Sequence, residues 1–163
     1  MEKDRYGTFD AELLVDIGFE IERKEVIIVD EIEQYADLIL NNYPQGLNRI
    51  DWNENNLVLI KEEAYSEEFW KKVIKKKLSE ICKVYNLGNS EFVVLGDNLI
   101  NKAYKMTFNV FLEIFWSFFS IPQHTYVISD DGSFCINYTF EDELYFGKAD
   151  FLSTVLQKAS KKQ

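Results

Sequence analysis

Residues 125–147 read TYVISDDGSFCINYTFEDELYFG, and this stretch sets the fold class. Tyr126-Val127-Ile128 is a short strand-forming run that meets Asp130-Asp131-Gly132, a turn signature. Phe134 to Phe140 returns as a second strand, so a β-hairpin is predicted. Glu141, Asp142 and Glu143 form a second acidic turn, after which Leu144-Tyr145-Phe146 gives a further strand closed by Gly147.

Working back from the hairpin, Pro122 ends a long apolar segment that follows the turn residues Gly96, Asp97 and Asn98. Its polar residues Lys102, Lys105, Asn109, Glu113, Ser117 and Ser120 fall at offsets of 0, 3, 7, 11, 15 and 18. That spacing tracks 3.6 residues per turn and predicts one mostly buried helix with a narrow polar edge. Glu91 to Leu95 reads as a strand. Before it, Ser66 caps a helix with Glu67 and Glu68 in the first turn and Phe69, Trp70, Val73, Ile74, Leu78, Ile81, Cys82 and Tyr85 on one face. The opposite face carries Lys71, Lys72, Lys75 and Lys76, a run that reads as solvated, and Gly88 stands where the helix should end.

Leu57 to Ile60 predicts a buried strand, preceded by a polar loop from Asn41 to Asn56 that holds Leu47, Ile50 and Trp52. Asp30 is placed to cap a helix whose apolar positions are Ile32, Tyr35, Ala36, Ile39, Leu40 and Tyr43. Further back, Leu13, Val15, Ile17, Phe19 and Ile21 alternate with a set that includes Glu12, Asp16, Glu20 and Glu22, which predicts a strand with an acidic wet face. Val26 to Val29 would pair with it as a hairpin, while a helix starting at Thr8 is the competing reading. At the other end, Phe151 to Ser160 suggests a terminal helix. Alternating elements early and clustered strands late, with no repeat or linker, predict one α+β domain over residues 1–163, its mixed, mainly antiparallel sheet packed against helices.

Charge narrows the partners. With 18 basic and 28 acidic residues the net charge is −10, which disfavours nucleic acid and anionic membranes and favours a basic partner. Residues 1–63 hold 16 acids against 6 bases, so the negative pole lies in the first third of the chain. The apolar stretch Met106 to Ile121 contains Asn109 and Glu113 and is shorter than the roughly 20 residues of a membrane span. Charged residues 2–5 without an apolar run behind them argue against a signal peptide, so a cytoplasmic protein is expected.

Sites for chemistry are scarce. His124 is the single histidine and the seven glycines are isolated, so neither a phosphate loop nor a metal-spaced ligand pair is present, and no cofactor or metal is expected. Cys82 and Cys135 read as buried thiols. His124 is expected to bond a freed helix carbonyl at its junction; as an alternative, His124 and Cys135 facing one another across the hairpin would supply a base and a nucleophile for a small enzyme. Acids in turns and on exposed faces are better suited to meet lysines and arginines of a partner. The candidates are Glu20, Glu22, Glu31, Glu33, Asp37, Asp130, Asp131, Glu141 and Asp142, with Tyr43 or Trp52 as aromatic anchors.

The segment Phe111 to Gly147 resembles immunity proteins of bacterial polymorphic toxin and contact-dependent growth inhibition systems. The likeness is carried by an apolar helix running into Pro122-Gln123-His124-Thr125-Tyr126, the Asp130-Asp131-Gly132 turn, the Phe134–Phe140 strand and Leu144-Tyr145-Phe146-Gly147. It implies a protein that is not an enzyme, needs no cofactor, and neutralises a cognate toxin, often a nuclease, by occluding its active site. Pro122, Gln123, His124, Tyr126, Tyr145 and Gly147 are then expected as structural positions of the motif. A generic protein-binding adaptor is the other alternative.

Overall fold

A computed structural model describes residues 8–45 and 50–149. The chain runs α1 (Thr8–Asp16), α2 (Gly18–Glu22), β1 (Ile27–Val29), α3 (Glu33–Asn42), β2 (Leu57–Ile60), α4 (Glu67–Tyr85), β3 (Glu91–Gly96), β4 (Ala103–Thr107), α5 (Phe108–Phe119), β5 (Thr125–Ser129), β6 (Phe134–Tyr138) and β7 (Glu143–Lys148). The strands form one seven-stranded sheet in the order β1-β4-β3-β5-β6-β7-β2, and its strand pairs are antiparallel. This is the expected α+β class. The expected helix over Phe151–Ser160 lies outside the described residues.

The quoted stretch folds as read. β5 meets β6 with Ile128 opposite Cys135, and β6 meets β7 with Asn137 opposite Tyr145. The first turn is held by Asp131, whose carboxylate accepts from the Ser133 N–H and the Ser129 and Ser133 hydroxyls, while Gly132 takes the left-handed φ of 78° that favours glycine.

Both faces of the sheet are covered, so β5 is buried throughout and β3 is buried from Phe92 to Leu95. In β3, Phe92 and Val94 point to one side and Val93 and Leu95 to the other. The first side packs α1, α4 and α5 through Leu13, Trp70, Ile74, Leu78, Phe111, Phe115 and Phe118. The second side receives α3 through Tyr35 and Ile39, together with Tyr43 and Ile50.

Several expectations are corrected. Residues 11–22 are helical: Leu13 and Ile17 are buried one turn apart, while Val15 is 82 % exposed and Phe19 73 %. Alternation of residue type misled here because the two apolar residues at odd positions that face the core also fit a helical spacing of four. Val26–Val29 therefore has no hairpin partner in that region; β1 pairs with β4. The single long helix expected from Lys102 is a strand followed by a helix. Tyr104 and Met106 enter the core in period two, and Thr107 starts α5 by accepting from the Val110 N–H.

Asp30 does not cap α3, which starts at Glu33 without a side-chain cap; the Asp30 carboxylate lies 2.6 Å from Lys102 Nζ. β2 is a half-buried edge strand, not a buried one, with Ile60 52 % exposed. Helix α4 keeps its Ser66 cap but ends earlier than Gly88, at Asn86 in the left-handed conformation, φ 53°. Its Phe69 is exposed and Tyr85 lies at the margin, so the apolar face is narrower than the spacing implies.

Candidate protein-binding surface

The acids are not spread evenly over the fold. Residues 8–45 carry ten acids and two bases, and they build α1, α2, β1 and α3. Helix α1 sits on β4, where the Asp10 carboxylate accepts from Tyr104 Oη at 2.6 Å and from the Asn101 N–H at 2.7 Å. Helix α3 lies on the opposite face beside Val93, Ala103 and Ile128. The two helices thus lie on opposite faces on the β4 side of the sheet, with α3 reaching on across β3 and β5 to the β5–β6 turn. Glu12, Asp16, Glu22, Glu31, Glu33 and Asp37 are exposed there.

The other end has the opposite character. Helix α4 packs over β6 and β7, with Trp70 Nε1 donating to Tyr138 Oη and Tyr85 against Phe134 and Phe146. Lys71, Lys72, Lys75 and Lys76 are exposed on its outer face, as their spacing indicates.

The candidate acids fall into two groups. Glu22, Glu31, Glu33 and Asp37 are exposed, and the described residues provide no ion-pair partner for them. Glu20 stands on α2 rather than on a strand, half-buried, with Oε2 shielded from solvent. The turn acids are committed to the fold instead. Asp130 lies 3.1 Å from Lys105 Nζ, and Asp142 accepts from Tyr138 Oη at 2.7 Å. Hydrogen bonds from the Ser133 hydroxyl and backbone and from Ser129 hold the Asp131 carboxyl below the usual range, against the opposing effect of burial. Glu141 is exposed in the second turn.

One cluster was not foreseen. Lys105 Nζ bridges Asp130 and Glu91, at 3.1 and 3.2 Å, and Tyr35 Oη reaches Asp130 from α3. Burial alone would lower the Lys105 pKa, but hydrogen bonds to Asp130 and Glu91 outweigh it and hold the ammonium above its ordinary value. The spacing of Lys105 in the sequence fits a helix edge, which conceals the cluster; its place on β4 opposite Val93 of β3 is what aims it at the β5–β6 turn.

The expected anchors are tied into the fold. Tyr43 is buried and donates to the Gly132 carbonyl oxygen at 3.0 Å, and burial raises its pKa. Trp52 is half-buried, stacked on Tyr145 and donating to Asn137 Oδ1 at 3.0 Å. A Cβ on Gly147 would fall 2.6 Å from the Trp52 ring, so glycine there is what lets the indole lie against the sheet. Tyr126 is buried, with Asn137 opposite it.

His124 and Cys135 do not come together. In the β5–β6 register Cys135 stands opposite Ile128, four residues beyond His124, and is fully buried, which pushes its thiol pKa up. Nor does His124 reach a helix carbonyl: its Nδ1 accepts from the Phe140 N–H at 3.3 Å. Pro122 is exposed, whereas buried Gln123 accepts from the Leu99 N–H and fills the space above Gly96. Among the described residues no group of three or more His, Cys, Asp or Glu is placed to hold a metal, and no helix is long and apolar enough to cross a membrane.

No protein family and no curated protein matches this chain.

Proposed function

We propose that the protein is a cytoplasmic immunity protein that binds a basic bacterial toxin domain and blocks its active site. The observation that carries the reading is the uneven charge: residues 8–45, which build α1 to α3, hold ten acids and two bases, while α4 carries a run of exposed lysines. A toxin that acts on nucleic acid must attract phosphate, so its cleft is basic and an acidic surface is drawn into it. Such steering mainly speeds association and fixes orientation. The resemblance of Phe111–Gly147 to immunity proteins supports the same reading, which needs no cofactor and no catalytic step. Within it, Glu22, Glu31, Glu33 and Asp37 make the contact, and the turn acids Asp130, Asp131 and Asp142 hold the fold.

Growth tests it. Cells expressing the toxin encoded directly before this gene should be protected by the wild-type chain and much less by Glu31→Lys/Glu33→Lys/Asp37→Lys. Absence of protection by the wild type would overturn the proposal.

A further inference from the structure

The two edges of the sheet are built differently. β2 carries a break in register between Leu57 and Leu59, and an irregular edge is a poor template for another strand. β1 pairs with β4 without a break, and it is the terminal strand on that side. Its outer N–H and C=O groups meet no further strand among the described residues, and Ile27 is 55 % exposed. β4 also continues past Lys105 to Thr107 with no β1 residue opposite, beside a cleft of about 570 Å³ whose charged lining is balanced, Arg23, Lys24 and Lys105 against Glu25, Glu91 and Glu113.

We infer that β1 is a docking edge for an extended, lysine- or arginine-bearing segment of a partner protein, which joins the sheet as an additional strand. The identity of that partner as a toxin rests on the function proposed above; the strand addition rests on the edge itself. Backbone pairing supplies affinity without sequence, and the flanking side chains select the occupant.

Charge decides which occupant fits. A second copy would bring its own ten acids and two bases from residues 8–45 against the same set, so self-pairing is opposed. A basic segment meets the reverse. The edge is also polar along its length: Arg23 and Lys24 lie just before Ile27, whereas Glu31, Glu33 and Asp37 follow Val29. The incoming basic side chains therefore lie toward Val29, and an apolar side chain lies against Ile27.

The test uses the full chain and a nine-residue peptide of alternating lysine and valine, with a proline-substituted peptide of equal charge as control. Amide exchange at the outward-facing N–H groups of β1, which alternate with those bonded to β4, should slow with the first peptide and not with the second. Ile27→Lys, at an exposed position, should weaken binding about tenfold by removing the apolar contact and adding a positive charge beside the peptide's lysines. Equal binding of both peptides, or protection at β2 instead, would overturn the inference. So would concentration-dependent self-association that protects β1, or faster β1 exchange in the free chain after removal of residues 150–163, because each assigns the edge to another occupant. If the toxin is neutralised but Ile27→Lys leaves that unchanged, strand addition fails and the proposed function stands; strand addition without protection from toxin gives the converse.

Discussion

The two layers that cover the sheet differ in what they contribute. On one side α4 and α5 lay Trp70, Phe111, Phe115 and Phe118 into a continuous aromatic core, with α1 adding Leu13. On the other, α3 commits Tyr35 and Ile39, and the layer is completed by hydrogen bonds such as Tyr43 Oη to the Gly132 carbonyl. Burial of apolar area is the main stabilising contribution, so the aromatic side should dominate stability. The thinner layer is left to present charge. It can carry that charge because surface charges cost little stability where they stand unpaired in water.

The largest expected effect that would break this comparison is at Trp70. Trp70→Ala removes a fully buried indole and the hydrogen bond to Tyr138, and should cost about 3–5 kcal/mol in urea unfolding. Ile39→Ala in α3 should cost less, about 2 kcal/mol, because its thin layer can relax toward solvent; an equal or greater loss would show the layers to be equivalent. At the start of α4, Ser66→Ala loses the bond to the Phe69 N–H and should cost about 1 kcal/mol by the same measurement.

The smallest effect is in the acid limb. The Asp131 pKa is lower folded than unfolded, so its contribution is complete above the unfolded value near ~3.9 and is lost as pH falls through the folded value. Asp131→Asn should therefore lower stability near neutrality, where the contribution is fully present, and so flatten the fall below about pH 4. An unchanged acid limb would remove Asp131 from the turn's account.

Legibility in the sequence followed locality. The β5–β6–β7 meander and the α4 cap were readable because turn and cap chemistry reside in a few adjacent residues, such as Asp131-Gly132 and Ser66. Residues 11–22 and 102–107 are ambiguous because apolar alternation in the first and polar spacing in the second each fit the wrong period, and only tertiary contacts choose: Asp10 with Tyr104, Lys105 with Asp130. The surface was legible as charge but not as place. Which acids are exposed and which are tied to Tyr138 or Ser133 depends on strand register, which composition does not contain.

The seating of Trp52 on Tyr145 has a practical consequence. Trp70 is enclosed and Trp116 belongs to the aromatic layer, so Trp52 is the half-exposed indole on the α3 side. Its emission is an intrinsic optical gauge for that side: an occupant arriving over α3 should shift the fluorescence through Trp52 and leave the Trp70 contribution unmoved.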